Sequence, residues 1–396
     1  MTAPLLLCLL SAVCQEPAGA PVLTRGAAAL TLDGEMRLRF ESRDGATPFA
    51  GSDSESMSSG RFRFGLRAEL DERFAAYAQF QKLVLDEGED SDDYVHQAFL
   101  DWSEAAFGTD LQIGRFELDL GSGLLLGTDD WNGTGRAFDG VRATRAGQTY
   151  TATIFWTQPV EEQAVAAGVD QSFGGVWLEV PISAEVAVDV YGLSRNDGTG
   201  SASDLSDQTV GGRLRGESAD GLRWSAEVAA QFGEQGPLDA GGLIAAGEVA
   251  MPFAGEGEAG LGFLWASGDD DPADGDQDAF VPLYDERHAL LGAADLVAPS
   301  NVLDVYARGS WSLDGNWRVV GALHWMQLVE DLGAVPVAGA TGTGDSELGQ
   351  ELDLWLEGDL LTQLDLRLGA AQFLAGDAIS GGDDQLWFFV QALVWF

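Results

Sequence analysis

The chain ends in the stretch DQLWFFVQALVWF, residues 384–396, and this stretch decides the fold. Successive side chains of an extended strand point to opposite faces, so residues two apart share a face. One face is therefore apolar throughout and consists of Phe388, Val390, Ala392, Val394 and Phe396. A last strand of this kind, ending on an aromatic residue, is typical of the strand that closes a bacterial outer-membrane barrel, in which a sheet without edges faces lipid.

The same alternation recurs upstream and separates an apolar from a polar face. In GRFRFGLRAEL, residues 60–70, the apolar face begins with Phe62 and Phe64, and arginines lie between them. MRLRFESR, residues 36–43, and TYTATIFWT, residues 149–157, repeat the pattern. Counting such runs gives about 16–18 strands of about 10 residues, the length that a tilted strand needs to cross a bilayer.

Turns between these runs alternate in length, as they do at the two ends of an outer-membrane barrel. The long, mostly acidic loops are residues 86–93, 157–171, 194–208, 268–301 and 332–347. A soluble β-sandwich, a propeller and a β-solenoid are the alternatives, but no repeat of about 20–50 residues is visible. A sandwich also needs no apolar outward face on nearly every strand. We therefore predict an all-β fold, a single antiparallel transmembrane β-barrel of about 18 strands.

The N-terminus predicts a secretory signal peptide over residues 1–20. An apolar run, residues 5–13, precedes small residues, although the usual basic residues before such a run are missing. Cleavage after Cys14 and cleavage after Ala20 both fit, and either removes the two cysteines of the chain. We expect the mature chain to lack disulfides and residues 21–396 to form the barrel.

The composition is strongly acidic, with 64 Asp and Glu against 21 Lys and Arg and a formal net charge of -43. Nucleic acid needs a basic face, so we predict no nucleic-acid partner. Acidic loops 86–93 and 268–278 offer clustered oxygen ligands for Ca²⁺, although a simple solvated surface explains them better. His96, His288 and His324 are scattered, so the sequence predicts no metal site and no other cofactor.

Three segments carry a family resemblance when they are taken in order. The first comprises GRFEL (114–118), residues 121–126 and WNGTGRAFDGVR (131–142). The second is FVPLYDERHALLGAADLV (280–297), and the third extends from LGQELDL to the end of QFLAG (348–376). Together they resemble the alginate export family of outer-membrane porins. The resemblance implies an 18-stranded monomeric barrel with a narrow, arginine-lined pore for a polyuronate.

Alternation also selects candidate pore residues, because lumen-facing positions alternate with lipid-facing ones. Arg142 lies between apolar neighbours, and the alternation slips at Gly114, which predicts a bulge that turns Arg115 inward. Residues 121–135 are polar and glycine-rich, so we expect them to fold into the lumen or over its rim and to carry Arg136 along. The predicted pore-lining residues are Arg61, Arg63, Arg67, Arg115, Arg136, Asp139 and Arg142.

The guanidinium group binds a carboxylate through two parallel hydrogen bonds and stays charged at any working pH. The leading hypothesis is therefore an outer-membrane channel, embedded in lipid as a monomer, that passes an anionic polysaccharide or oligosaccharide. Asp139 and Glu117 would space the arginines through ion pairs, and a purely structural role of the arginines is the other interpretation. Alternatives are a general or cation-preferring porin and an adhesive barrel. An enzyme is not expected, since no G-x-S-x-G elbow occurs.

Overall fold

The computed structural model describes residues 23–25, 28–44, 54–85, 93–159, 170–198, 204–313 and 316–396. The predicted signal peptide, its cleavage positions and both cysteines lie outside the described residues. Most of the acidic loop 86–93 and parts of the loops 157–171 and 194–208 lie outside them as well.

The described chain forms one sheet of long strands and two short ones. The strands are β1 (Leu23–Arg25), β2 (Ala28–Asp44), β3 (Ser54–Glu69), β4 (Phe74–Leu85), β5 (Asp93–Ala106), β6 (Thr109–Phe116), β7 (Phe138–Ala146), β8 (Thr151–Pro159), β9 (Asp170–Pro181), β10 (Val186–Gly198), β11 (Leu205–Glu217), β12 (Arg223–Gln235), β13 (Leu238–Phe253), β14 (Gly257–Ala266), β15 (Asp276–Gln277), β16 (Val302–Ser312), β17 (Trp317–Gln327), β18 (Glu347–Leu361), β19 (Leu364–Ala375) and β20 (Gln385–Trp395). One short helix, α1 (Arg287–Leu290), lies between β15 and β16. No helix in the described ranges is long and apolar enough to span a membrane.

The sheet closes on itself through its first and last long strands. Each long strand pairs antiparallel with the next, and β20 pairs with β2, where Phe40 lies opposite Val390. The main chains of Gly34 and Phe396 exchange two hydrogen bonds of 3.0 Å. Closure pairs the strand edges that lipid could not satisfy. The predicted barrel is confirmed, with 18 strands, and the C-terminal stretch is its closing strand.

The outward face of the barrel is apolar and the inward face is polar or covered. On β20, Leu386, Phe388 and Val390 are between 41% and 46% exposed, whereas Trp387 and Phe389 between them are buried. Exposed apolar side chains on alternating positions match the lipid-facing band of a membrane barrel. The alternation read from the sequence therefore marks which side chains face lipid and which face the lumen.

Three long loops from one end of the barrel pack inside it: residues 117–137, 267–301 and 328–346. Leu126 forms a parallel bridge with Tyr284, which joins the first loop to the second. Side chains such as Leu124 and Phe280 are at most 1% exposed and form an apolar core with inward residues of the wall. Short turns join the strands at the other end. The prediction that residues 121–135 fold into the lumen is confirmed.

Candidate pore-lining site

The inward faces of β2 and β3 carry four neighbouring arginines, here called the arginine ladder: Arg37, Arg39, Arg61 and Arg63. Each alternates with an exposed apolar residue, such as Phe62 beside Arg61, and each arginine is at most 6% exposed. Arg61 and Arg63 thus point inward, as expected from alternation. Arg37 and Arg39 were not among the predicted site residues, although the alternation of MRLRFESR gives the same signal for both.

The ladder converges on Asp130, which lies in the first inward loop. Nη1 of Arg61 and Nη1 of Arg63 both lie 2.9 Å from Asp130 Oδ1. Arg37 donates to the main-chain oxygens of Asp130 (2.6 Å) and Asn132 (2.8 Å). Burial opposes ionisation of Asp130, but the charges of Arg61, Arg63 and Arg37 outweigh it and hold its pKa well below the ordinary value. The ladder therefore fixes the loop to the wall.

Several further donors of the ladder are also occupied. Arg61 binds Glu35 at 2.6 Å. Arg63 donates to Gln81 Oε1 at 2.6 Å and lies 3.1 Å from Nε2 of His96, which contacts Glu117 at 2.7 Å. Glu117 also lies 3.7 Å from Nη1 of Arg63, and a role in spacing the arginines stays a prediction. A buried guanidinium that is saturated in this way supports the loop and has few donors left for a solute.

A stacked group of side chains fixes the tip of the first loop. Cζ of Arg39 lies 3.7 Å from the centre of the Trp131 ring, and the His288 ring stacks on Trp131 with centroids 3.7 Å apart. His288 also contacts Asp295 at 3.0 Å. Phe389 meets the edge of Trp131 at 5.1 Å. The first loop, the second loop and the wall strand β20 are joined at this point.

Arg136 and Glu286 connect the first and second inward loops a few residues further on. Nη1 of Arg136 donates to the carbonyl oxygens of Gly127 (2.9 Å) and Tyr284 (2.6 Å). Glu286 accepts the main-chain N–H of Asp129 at 2.5 Å. Burial raises the pKa of Glu286 to about 7, and burial also raises the pKa of Asp129. Arg136 therefore joins two loops, in addition to any contact with a solute.

Arg67 and Arg142 lie on the inward wall nearer the short turns. Arg67 pairs with Asp101 at 3.2 Å, and about a third of its side chain (34%) is exposed. The guanidinium of Arg142 lies 5.2 Å from the centre of the Phe116 ring, and no salt bridge to Arg142 is found in the described part of the chain. Among the predicted pore residues, Arg142 is the inward arginine that the described residues leave without a carboxylate.

Arg115 and Asp139 lie on the outward face. They form a bidentate pair of 2.9 and 3.0 Å, and they lie opposite each other in register. The next pair in register, Phe116 and Phe138, is buried in the core inside the lumen, so its neighbours point away from the lumen. Pairing is continuous across Gly114, without the predicted bulge. From Phe116 onward the apolar side chains lie on the inward face of the strand, because the inward loops provide an apolar interior.

The inward faces of β16 and β18 carry buried carboxylates. Asp304, Glu351 and Asp353 are at most 2% exposed. Oε1 of Glu351 accepts the N–H of Ala294 at 2.8 Å, and Oδ2 of Asp304 lies 2.7 Å from Nδ1 of His324. Oδ2 of Asp353 accepts the N–H of Ala293 at 3.3 Å, so Glu351 and Asp353 hold the second loop as the arginine ladder holds the first.

The acidic stretch 268–278 folds on itself. Carboxylates of Asp269, Asp271 and Asp274 accept main-chain N–H groups two residues further on. In the described ranges no group of three or more His, Cys, Asp or Glu side chains is arranged to hold a metal ion. Calcium binding by the acidic loops stays a prediction.

Comparison with known proteins agrees with this architecture. A family model described as alginate export matches residues 29–387. OccK5 (OpdH) of Pseudomonas aeruginosa has a TM-score of 0.67 at 14% identity, covering 93% of this chain and 98% of that chain. The outer membrane protein OprD of Pseudomonas aeruginosa has a TM-score of 0.65 at 13% identity, covering 96% and 95%. OccK2 (OpdF) of the same organism, in complex with glucuronate, has a TM-score of 0.65 at 12% identity, covering 93% and 98%.

At these identities the solved structures show a common fold. No curated protein matches the sequence. The barrel belongs in the bacterial outer membrane, as predicted from its closing strand and its lipid-facing band. Its family and fold are those of transport channels and not those of enzymes.

Proposed function

The chain belongs to the alginate export family, and we propose that it passes an anionic polysaccharide or oligosaccharide, an alginate-like polyuronate, along inward-facing arginines. The observation that carries the proposal is Arg142, an inward arginine without a salt bridge among the described residues, beneath loops that the arginine ladder holds in place. We further propose that the barrel acts as a monomer surrounded by outer-membrane lipid and needs no cofactor.

The proposed path has a narrow part and a more open part. Loops 117–137 and 267–301 narrow the lumen, because Arg136 and Glu286 join them and the ladder fixes the first loop to the wall. Toward the short turns, Arg142 and the partly exposed Arg67 present guanidinium groups to the lumen. Conduction needs contacts that are weak enough to release the solute. Several binding sites of moderate affinity along the path, each with a nearby acid such as Asp101, meet that requirement.

The test is the reversal potential of the purified barrel in a planar bilayer under a salt gradient. The proposal predicts anion selectivity that falls in Arg142→Ala. Arg145→Ala is the matched control, because Arg145 lies on the outward face of the same strand and leaves the lumen unchanged. Cation selectivity of the unmodified barrel, or an equal loss in both variants, would contradict the proposal.

A cation-preferring porin is the second candidate. The buried carboxylates of β16–β18 and the formal net charge of -43 favour it. In that case the lumen acids outweigh the arginines, and the same bilayer experiment gives a reversal potential of the opposite sign. An adhesive barrel would conduct no current.

A further inference from the structure

A cavity of about 470 Å³ lies between the wall strands β9–β12 and the start of the first inward loop. We call it the vestibule cavity. It reaches the short turn at residues 183–185, so it lies on the opposite side of the inward loops from the long-loop end. Its volume is in the range of cavities that hold small ligands. Arg213 and Arg215 of β11 both line it.

Arg213 is a buried guanidinium without a hydrogen bond to any other residue that the structure describes. Its side chain is 9% exposed, and its Nε is buried without a partner. The nearest acids are held at a distance, with Nε 3.9 Å from Glu227 Oε2 and Nη1 4.0 Å from Asp189 Oδ2. No hydrogen bond from Arg213 to another described residue is found. A guanidinium carries five N–H donors, and the described residues supply none of them with an acceptor, so a ligand in the cavity can do so.

The neighbouring acids are already occupied by other donors. Glu227 accepts the hydroxyl of Ser122 at 2.5 Å and the hydroxyl of Tyr191 at 2.9 Å. Asp189 lies 3.4 Å from Nη2 of Arg215, whose Nη2 also contacts Glu179 at 3.1 Å. These contacts fix the acids near Arg213, which keeps its charge balanced while its Nη donors stay open to the cavity.

We propose that the vestibule cavity binds an acidic sugar unit, whose carboxylate is held by Arg213 and whose hydroxyls donate to acids of the lining such as Asp119 and Glu179. This inference deepens the proposed function, on which it rests. The planar fork of arginine matches a carboxylate in bidentate geometry. Asp119 extends from the first inward loop and lines the same cavity, so acceptors for sugar hydroxyls lie beside the arginine. The nearby acids limit the affinity, as transport requires.

The experiment is isothermal titration of the detergent-purified full-length barrel with sodium D-glucuronate. D-glucose tests the sugar without the carboxylate, and acetate tests the carboxylate without the hydroxyls. We expect saturable binding of glucuronate, weaker binding of acetate and none of glucose. Arg213→Gln should abolish binding, and Arg213→Lys should weaken it about tenfold through loss of the bidentate fork.

Two further variants keep the test decisive if Arg213→Gln fails to fold. Ala187→Phe narrows the cavity without removing a charged group, because Ala187 lines it on the inward face of β10. It should abolish binding. Arg367→Lys is the matched control, since Arg367 lies on another wall and pairs with Glu357 at 3.0 Å. It should bind as the unmodified barrel does.

Three results would overturn the inference: no saturable binding of glucuronate, equal binding of glucose, or unchanged binding in both Arg213→Lys and Ala187→Phe. Failure of the proposed function looks different. A cation-selective barrel that still binds glucuronate through Arg213 keeps this inference and refutes the anion channel. An anion-selective barrel that does not bind glucuronate keeps the proposed function and refutes this inference.

Discussion

The arginine ladder of β2–β3 and Arg142 of β7 face the same lumen but differ in their partners. Asp130, Glu35 and main-chain oxygens of the first inward loop occupy the ladder, whereas Arg142 meets only the ring of Phe116 among the described residues. The difference teaches that an inward arginine is not by itself a solute contact. Where a loop brings acceptors, arginine holds the loop, and where none comes, we propose that the charge stays available to a passing anion.

The largest expected effect comes from removing the carboxylate of Asp130, which binds two arginines of the ladder. Asp130→Asn leaves the buried guanidinium groups of Arg61 and Arg63 without their shared charge. The side chain of Asp130 is 42% exposed, so solvent screens part of the loss, and we expect destabilisation of about 2–3 kcal/mol. The first inward loop should detach from the wall, and single-channel conductance should rise.

Asp139→Asn provides the matched control for this change. Asp139 pairs with one arginine on the outward face, so the loop and the conductance should stay as they are. Equal conductance changes in the two variants would mean that the ladder does not hold the loop.

Arg136→Ala should have a smaller effect, because it removes hydrogen bonds between the two inward loops and leaves the ladder intact. Loss of the bonds to Tyr284 and Asp285 of the second loop should cost about 1–2 kcal/mol of docking free energy. We expect faster hydrogen exchange at residues 124–128 and a noisier open-channel current. Exchange at the level of the unmodified barrel would show that the bridge between Leu126 and Tyr284 is sufficient on its own.

The smallest expected effect is a pH dependence of the same loop contact. The pKa of Glu286 is raised to about 7 by burial, so docking of the loops favours the protonated acid. Docking is therefore strongest below the ordinary pKa of a glutamic acid and weakens as pH rises toward 7. Asp129, whose pKa is also raised by burial, acts in the same direction. Between pH 6 and pH 8 we expect a loss of about 1 kcal/mol.

Hydrogen exchange of the Gly127 amide, which donates to Tyr284 at 2.8 Å, reports this change. The ratio of exchange rates between the unmodified barrel and Glu286→Gln removes the intrinsic effect of pH on exchange. The ratio should rise with pH. A ratio that stays constant from pH 5 to pH 8 would show that Glu286 does not titrate in this range.

Much of the wall could be predicted from the sequence, because alternation is a local property of each strand. It placed Arg61, Arg63 and Arg142 inward, and GGRLRG, residues 211–216, carries the same signal for Arg213, although that arginine was not selected. The terminal strand was equally clear, since its outward face is apolar to the last residue.

The rest depends on contacts between segments far apart in the chain. Phe116 and Phe138 are apolar and yet face inward, because the inward loops bring an apolar core to them. Alternation alone predicts that this apolar face contacts lipid and that Arg115 points into the lumen, and both predictions are wrong. The sequence pattern also cannot show that Asp130 saturates the ladder, since this requires the path of the loop inside the barrel.

The most direct test of the account is the flux of a fluorescently labelled oligouronate into proteoliposomes, compared with a neutral oligosaccharide of equal length. We predict faster uptake of the oligouronate, and a loss of that preference in Arg142→Ala but not in Arg145→Ala. Equal uptake of the two sugars by the unmodified barrel, or faster uptake of the neutral one, would contradict an arginine-lined path for an anionic polymer.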